Sequence, residues 1–240
     1  MGVLHTNWSE NRLIKGYRAC FVLQESLKPE HLFSLNLAKC NYEWDTELSK
    51  DTIVLQPGDF YTSTRGDIIS TTLGSCIAAC VRDRDLGIGG MNHFMLPTVG
   101  DGDNANWELT SVNAGARYGT YAMECLINMI LKKGGKRNKL EFKFFGGGNV
   151  LGSATNIGET NIRFIREFME AEGYSVESEC LGRPYPIKLH YFSNSGVAKI
   201  KKLTNENIQV VAVENRYAGE LERKLKTHDI ELFKTETGDK

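Results

Sequence analysis

Along this chain apolar positions recur at two different spacings, and the spacing changes mark the elements. Residues 68–73 are rich in β-branched side chains and read as a strand, with a shorter strand at 59–63 just past the turn at Pro57-Gly58. Two short apolar runs, 77–81 and 91–96, flank the polar segment 82–85 and Gly87. That is the pattern of a β-hairpin, whose second strand Pro97 stops. Tyr118, Tyr121, Ala122, Cys125, Leu126, Met129 and Ile130 step by three and four, which predicts an amphipathic helix ended by Gly134-Gly135. Leu140, Phe142 and Phe144 alternate with Glu141 and Lys143, a half-buried strand. A second helix is predicted over 159–172, burying Ile162, Ile165, Phe168 and Met169, with Gly173 as its stop. A strand around Val176, a hairpin over 188–203 turning at Asn194-Ser195-Gly196, an apolar strand at 209–213 and a charged helix complete the pattern. The order implies an α+β layered sandwich (α/β in the broad sense), with a mixed β-sheet and two main helices.

Residues 1–50 are the least periodic part and read as an N-terminal extension, 51–205 as the main domain and 206–240 as a C-terminal extension. The 240 residues carry 29 Lys+Arg against 30 Asp+Glu, a formal net charge of −1. Near-neutrality argues against a dedicated nucleic-acid binder, and the basic run 132–139 (KKGGKRNK) reads as a solvated loop. No stretch approaches the ~20 apolar residues of a membrane span, and the N-terminus lacks the apolar core of a signal peptide. A cytoplasmic location is expected. Six cysteines (Cys20, Cys40, Cys76, Cys80, Cys125, Cys180) are scattered with no C-x-x-C pair, so no structural metal and no cofactor are expected. Cys125 lies on the apolar stripe of its helix, a core position.

The predicted hairpin carries the candidate chemistry. Thr71-Thr72-Leu73-Gly74-Ser75-Cys76 enters it and Gly89-Gly90-Met91-Asn92-His93 leaves it. If the turn centres between Arg84 and Asp85, Cys76 faces His93 across two antiparallel strands, with Cβ atoms about 4.5–5.5 Å apart. A thiol facing an imidazole is the minimal Cys–His nucleophile. In an open cleft the imidazole would lower the thiol pKa from about 8.5 and hold a thiolate–imidazolium pair. Gly74 permits a sharp turn before the nucleophile, and the amides near Ser75 and Cys76 could form an oxyanion hole. Hydroxyls at Ser70, Thr71 and Thr72 are close enough in sequence to orient the imidazole. On spacing alone, a core cysteine and a structural histidine remain alternatives. Cys80 shares a strand face with Cys76 and reads as core, and His190 as structural. His5, His31 and His228 receive no role. Residues 146–149 (GGGN) lack the lysine and hydroxyl of a phosphate loop and read as a tight turn near the active site.

These residues are where a family resemblance enters. Leu73-Gly74-Ser75-Cys76, followed 17 positions later by His93 within Gly-Gly-Met-Asn-His-Phe-Met-Leu-Pro, resembles the CheD family of chemoreceptor glutamine deamidases. The resemblance continues through Gly147-Gly148-Asn149, Asn156-Ile157-Gly158-x-x-Asn161 and the 188–203 hairpin, and covers roughly 58–203. It implies an α/β sandwich and a protein-glutamine glutaminase, an amidohydrolase of chemotaxis adaptation. Selected glutamines of methyl-accepting chemotaxis receptors would become glutamate through a glutamyl thioester, with release of ammonia. Carried over, Cys76 is the nucleophile and His93 the base and acid. The family's third catalytic residue is a threonine six positions before the cysteine, where this chain has Ser70. Thr71 is the weaker candidate, because alternation would place it on the opposite face. The family's late glycine-rich segment is altered here to 180–186 (CLGRPYP).

The resemblance also leaves competing functions. The activity could extend to glutamyl methyl-ester hydrolysis, or the substrate could be another protein. As a different class, the chain could be a regulatory module docking to a CheC-type phosphatase. Retention of both Cys76 and His93 favours the enzyme.

Overall fold

A computed structural model describes residues 42–96, 105–150, 157–204 and 207–227. The expectations for Cys20, Cys40, His5, His31, His228, Pro97 and Asn156 lie outside these residues. In chain order the elements are β1 (Tyr42–Asp45), β2 (Lys50–Val54), β3 (Phe60–Ser63), β4 (Ile68–Leu73), β5 (Ile77–Asp83) and β6 (Ile88–Phe94). Then follow α1 (Ala105–Lys132), a 3₁₀ turn, β7 (Leu140–Gly146), α2 (Ile157–Glu172), β8 (Val176–Leu181), β9 (Ile187–Phe192), β10 (Val197–Lys202) and α3 (Asn207–Thr227).

The strands form two five-stranded sheets rather than one, in the orders β1-β2-β4-β9-β10 and β3-β6-β5-β7-β8. Each contains one parallel pair, β2 with β4 and β7 with β8, among antiparallel neighbours. The sheets face each other across a core that includes Ile53, Ile69, Leu73, Leu189 and Tyr191 from the first and Ala78, Cys80, Met91 and Phe145 from the second. The other face of the second sheet is covered by α1 and α2. There Phe94 meets Phe164 edge to face, with ring centroids 5.9 Å apart, a contact worth about 0.5–1.5 kcal/mol beyond its burial. Asn92 of β6 ties the same face to α1 by donating to the carbonyl of Ala122. The α+β layered class therefore holds. The second sheet was not separable in advance, because period-two patterns do not say which strands pair.

Two local expectations, the strand at 209–213 and the core position of Cys125, are corrected. Residues 209–213 are helical and belong to α3. The β-branched run at 208–213 suggests a strand, but the buried positions Val210, Glu214 and Leu221 recur at helical spacing, and packing on one face overrides propensity. Strand β1, within the segment read as an extension, is the edge of the first sheet and pairs with β2. Cys125, expected in the core, is only half-buried.

Candidate functional site

The β5–β6 hairpin forms as expected but in a different register. Asp83 pairs with Ile88, leaving a four-residue loop over 84–87. The Asp83 carboxylate accepts the N–H groups of Asp85 and Leu86, and Gly87 closes the loop with a φ of +65°. His93 is therefore opposite Ala78, not Cys76. Cys76 sits in the bend just before β5, diagonal to His93. A shift of two residues keeps the face while a shift of one would invert it, so the two side chains still meet in the inter-sheet layer. Cys76 Sγ, a ring nitrogen of His93 and a carboxylate oxygen of Glu214 lie within 4.8 Å of one another.

The bend Gly74–Cys76 is held from below by the glycine turn after β7. Gly147 N–H donates to the Cys76 carbonyl (2.7 Å) and Gly148 N–H to the Gly74 carbonyl (2.7 Å). Gly146, at φ +104°, packs so closely that a Cβ there would lie 2.1 Å from the Cys76 oxygen. From α2, the buried Asn161 donates to the Ser75 carbonyl (2.8 Å) and accepts the Leu96 N–H (2.9 Å). The glycine turn thus sets the shape of the bend that carries Cys76 and is not an anion cradle. With their carbonyls tied down, the three amides of Gly74, Ser75 and Cys76 converge on one point.

That point is filled by Glu214 of α3. Its Oε1 accepts the N–H groups of Gly74 (2.9 Å) and Cys76 (3.1 Å), and its Oε2 accepts the N–H of Ser75 (2.8 Å) and the Ser75 hydroxyl (2.6 Å). Convergent backbone donors are what a developing oxyanion needs. Cys76, His93 and Glu214 are also spaced as a cation's ligands would be, but both carboxylate oxygens already accept two donors each. The sequence reading missed Glu214 because it lies outside the resemblance. Its spacing with Val210, Tyr217 and Leu221 was the available signal.

The imidazole is oriented by Thr71. The Thr71 hydroxyl lies 2.8 Å from His93 Nδ1 and donates to the Leu55 carbonyl at 2.8 Å. Its one proton is committed to Leu55, so it can only accept from the ring. Nδ1 therefore carries the hydrogen, and Nε2, buried without a partner, keeps its lone pair. Ser70 is not brought to the imidazole. It pairs with His190 on β9 and faces the outer side of the sheet, toward a recess it shares with Thr52, Thr72 and Lys188. The alternation argument that favoured Ser70 fails because the bend at Gly74–Cys76 breaks the strand's phase before the cysteine. Ile69 and Leu73, both core residues, mark Thr71's face as the inner one.

The electrostatics depart from the expected ion pair in an open cleft. Cys76 and His93 are 0% and 1% exposed. Burial pushes the Cys76 thiol well above its ordinary value, and the Glu214 carboxylate, by its charge and its hydrogen bond with the thiol, raises it further. Burial lowers His93 to about 4, with Glu214 opposing the shift. Both shifts favour the uncharged forms, a neutral thiol beside a neutral imidazole. Cys80 is fully buried as expected, whereas Cys180 is half-buried with Arg183 Nε 3.5 Å from its sulfur, a cationic neighbour that the spacing did not reveal.

A family model described as CheD chemotactic sensory transduction matches residues 95–202, beginning just after His93. A probable chemoreceptor glutamine deamidase CheD of Halorhodospira halophila is 45% identical over 194 residues, spanning 80% of this chain and 89% of that protein. Its counterpart in Herminiimonas arsenicoxydans is 46% identical over 197 residues, covering 80% and 94%. That of Thiobacillus denitrificans is 44% identical over 196 residues, covering 80% and 95%. No helix among the described residues is long and apolar enough to cross a membrane.

Proposed function

The chain belongs to the CheD family, and from that premise we propose that it is a chemoreceptor glutamine deamidase in which Cys76 is the nucleophile, His93 the general base and acid, and Thr71 the residue that orients the imidazole. The observation that carries this reading is the convergence of the Gly74, Ser75 and Cys76 amides beside a thiol and an unpartnered imidazole nitrogen.

With Nδ1–H held by Thr71, Nε2 takes the thiol proton as sulfur attacks the glutamine carboxamide carbon. The carbonyl oxygen becomes an oxyanion and receives the three amide hydrogens. His93 returns the proton to nitrogen, the C–N bond breaks and ammonia leaves. Water, deprotonated by Nε2, then attacks the thioester carbon. The C–S bond breaks, the thiol regains its proton, and glutamate results. Each step moves one proton through one atom, so a single imidazole with a fixed tautomer suffices. Removing one donor from such a nest typically costs about a hundredfold or more in rate.

The setting we infer is cytoplasmic, with a CheC-type phosphatase as a further partner. Ammonia release with receptor present, set against a change in phosphatase activity with CheC present, separates enzyme from docking module. The direct test is peptide mass mapping of receptor fragments. Glutamine-to-glutamate conversion is expected with the native protein and lost in Cys76→Ala and in His93→Ala. Full conversion by either variant overturns the mechanism.

A further inference from the structure

The reaction proposed above ends with a glutamate side chain in the site, its carboxylate beside Cys76 and in reach of the three amides. In this structure a glutamate of the chain itself is already there. Glu214 lies in the middle of α3, is 3% exposed, and both its oxygens are saturated by the bend. The fit is close enough that a Cβ added at Gly74 would come within 2.9 Å of Glu214 Oε2. The helix is seated by more than this residue. Val210 and Leu221 are buried, and the Tyr217 hydroxyl bonds to that of Tyr118 on α1 and packs over Gly58.

Seated this way, α3 shuts the site to any macromolecule. Cys76 has no exposed surface, and among the described residues a crevice of 180 Å³ between α3 (Gln209, Val210, Val213) and the segment Leu55, Gln56 and Pro57 reaches His93. Water or ammonia can use it, but a receptor cannot. Resting on the deamidase reading, we propose that α3 is a built-in occupant of the substrate groove, with Glu214 bound as a mimic of the reaction product, and that receptors are modified only when α3 is displaced. Because the occupant is the middle of an intact helix, the groove accepts a target side chain projected from a helical segment. A receptor helix bearing a glutamine would compete with α3 for the same place.

Glutamate and glutamine have the same shape, so Glu214→Gln converts the product mimic into a substrate. Cys76 Sγ would bond to the new amide's carbon, the C–N bond would break with the proton supplied through His93, ammonia would leave, and water would hydrolyse the thioester. The full-length variant should revert to glutamate at position 214. It should do so at a rate independent of protein concentration, read as the one-dalton gain of the peptide carrying that position. Combining it with Cys76→Ala should abolish the change. Persistence of the amide in a preparation that converts receptor glutamines overturns the proposal while sparing the deamidase reading. Conversion of neither overturns both. As a second measurement, Glu214→Ala should raise the rate of receptor conversion above that of the native protein. It should also speed alkylation of Cys76 by iodoacetamide by at least an order of magnitude, with Cys180 labelling unchanged. An unchanged or lower receptor rate in a variant with a native melting profile, or an unchanged Cys76 labelling rate, overturns the proposal.

Discussion

Replacing Thr71 by valine keeps the shape of a β-branched side chain and removes one oxygen, the oxygen on which the orientation of His93 depends. In the native protein the Thr71 hydroxyl accepts Nδ1–H at 2.8 Å and passes its own proton to the Leu55 carbonyl at 2.8 Å. In Thr71→Val the Nδ1–H is buried beside a methyl group, in a layer where His93 is 1% exposed. Leaving a buried donor unpaired costs about 1–3 kcal/mol. The ring escapes that cost by rotating or by moving its hydrogen to Nε2, and either removes the base from Cys76. A loss of 1–3 kcal/mol at the transition state corresponds to a rate reduction of about five- to 150-fold. The assay is the initial rate of glutamine-to-glutamate conversion in a receptor fragment, read with thermal melting to separate catalysis from stability. Thr71→Ser, which restores the hydroxyl, should recover most of the rate. Ser70→Ala, at a buried position on the outer face beside His190 and away from the imidazole, should leave the rate close to native. If Ser70→Ala is the damaging change and Thr71→Val is silent, the assignment of the orienting hydroxyl is wrong.

Gly146→Ala should abolish activity and lower the melting temperature. Its φ of +104° and the 2.1 Å approach to the Cys76 carbonyl leave no place for a Cβ without moving the nucleophile. Asn161→Ala strips the partners of two buried backbone groups, Ser75 C=O and Leu96 N–H, and should cost about 2–6 kcal/mol of stability by denaturant titration, summing 1–3 for each. Asp45, held at about 2 by its hydrogen bond to Lys188 against the cost of burial, contributes stability that is fully present above the ordinary carboxyl value and is lost as pH falls through its folded value. Asp45→Asn should therefore be less stable than the native protein at pH 7, by about 1–2 kcal/mol. The gap between them should close between pH 4 and pH 2 in melts followed across that range.

What could be read from the chain alone was local. Strand β4 spans the predicted residues 68–73, the hairpins β5–β6 and β9–β10 and the helix α2 formed where periodicity placed them, and the periodic positions from Tyr118 to Ile130 form the C-terminal half of α1, which begins at Ala105. Alternation and the 3.6-residue period are properties of a segment and need no partner to be seen. That Cys76 and His93 share a face was also legible, though not their pairing, since a register error of two residues preserves the face. Three things had to wait for the fold. The sheet count depends on which strands pair, a long-range choice that local pattern does not encode. The orienting hydroxyl depends on the phase of alternation across the bend Gly74–Cys76, which the loss of strand geometry there resets, so one residue decided between Ser70 and Thr71. Glu214 is 138 residues from Cys76 in sequence, in a segment whose β-branched residues suggest a strand. Only the packing of Val210, Tyr217 and Leu221 turns it into a helix and carries its carboxylate to the amides of the nucleophile's bend. Charge at a site is set by whatever the tertiary structure brings there: burial first, and then a carboxylate to which the local motif made no reference, both push the thiol toward its neutral form.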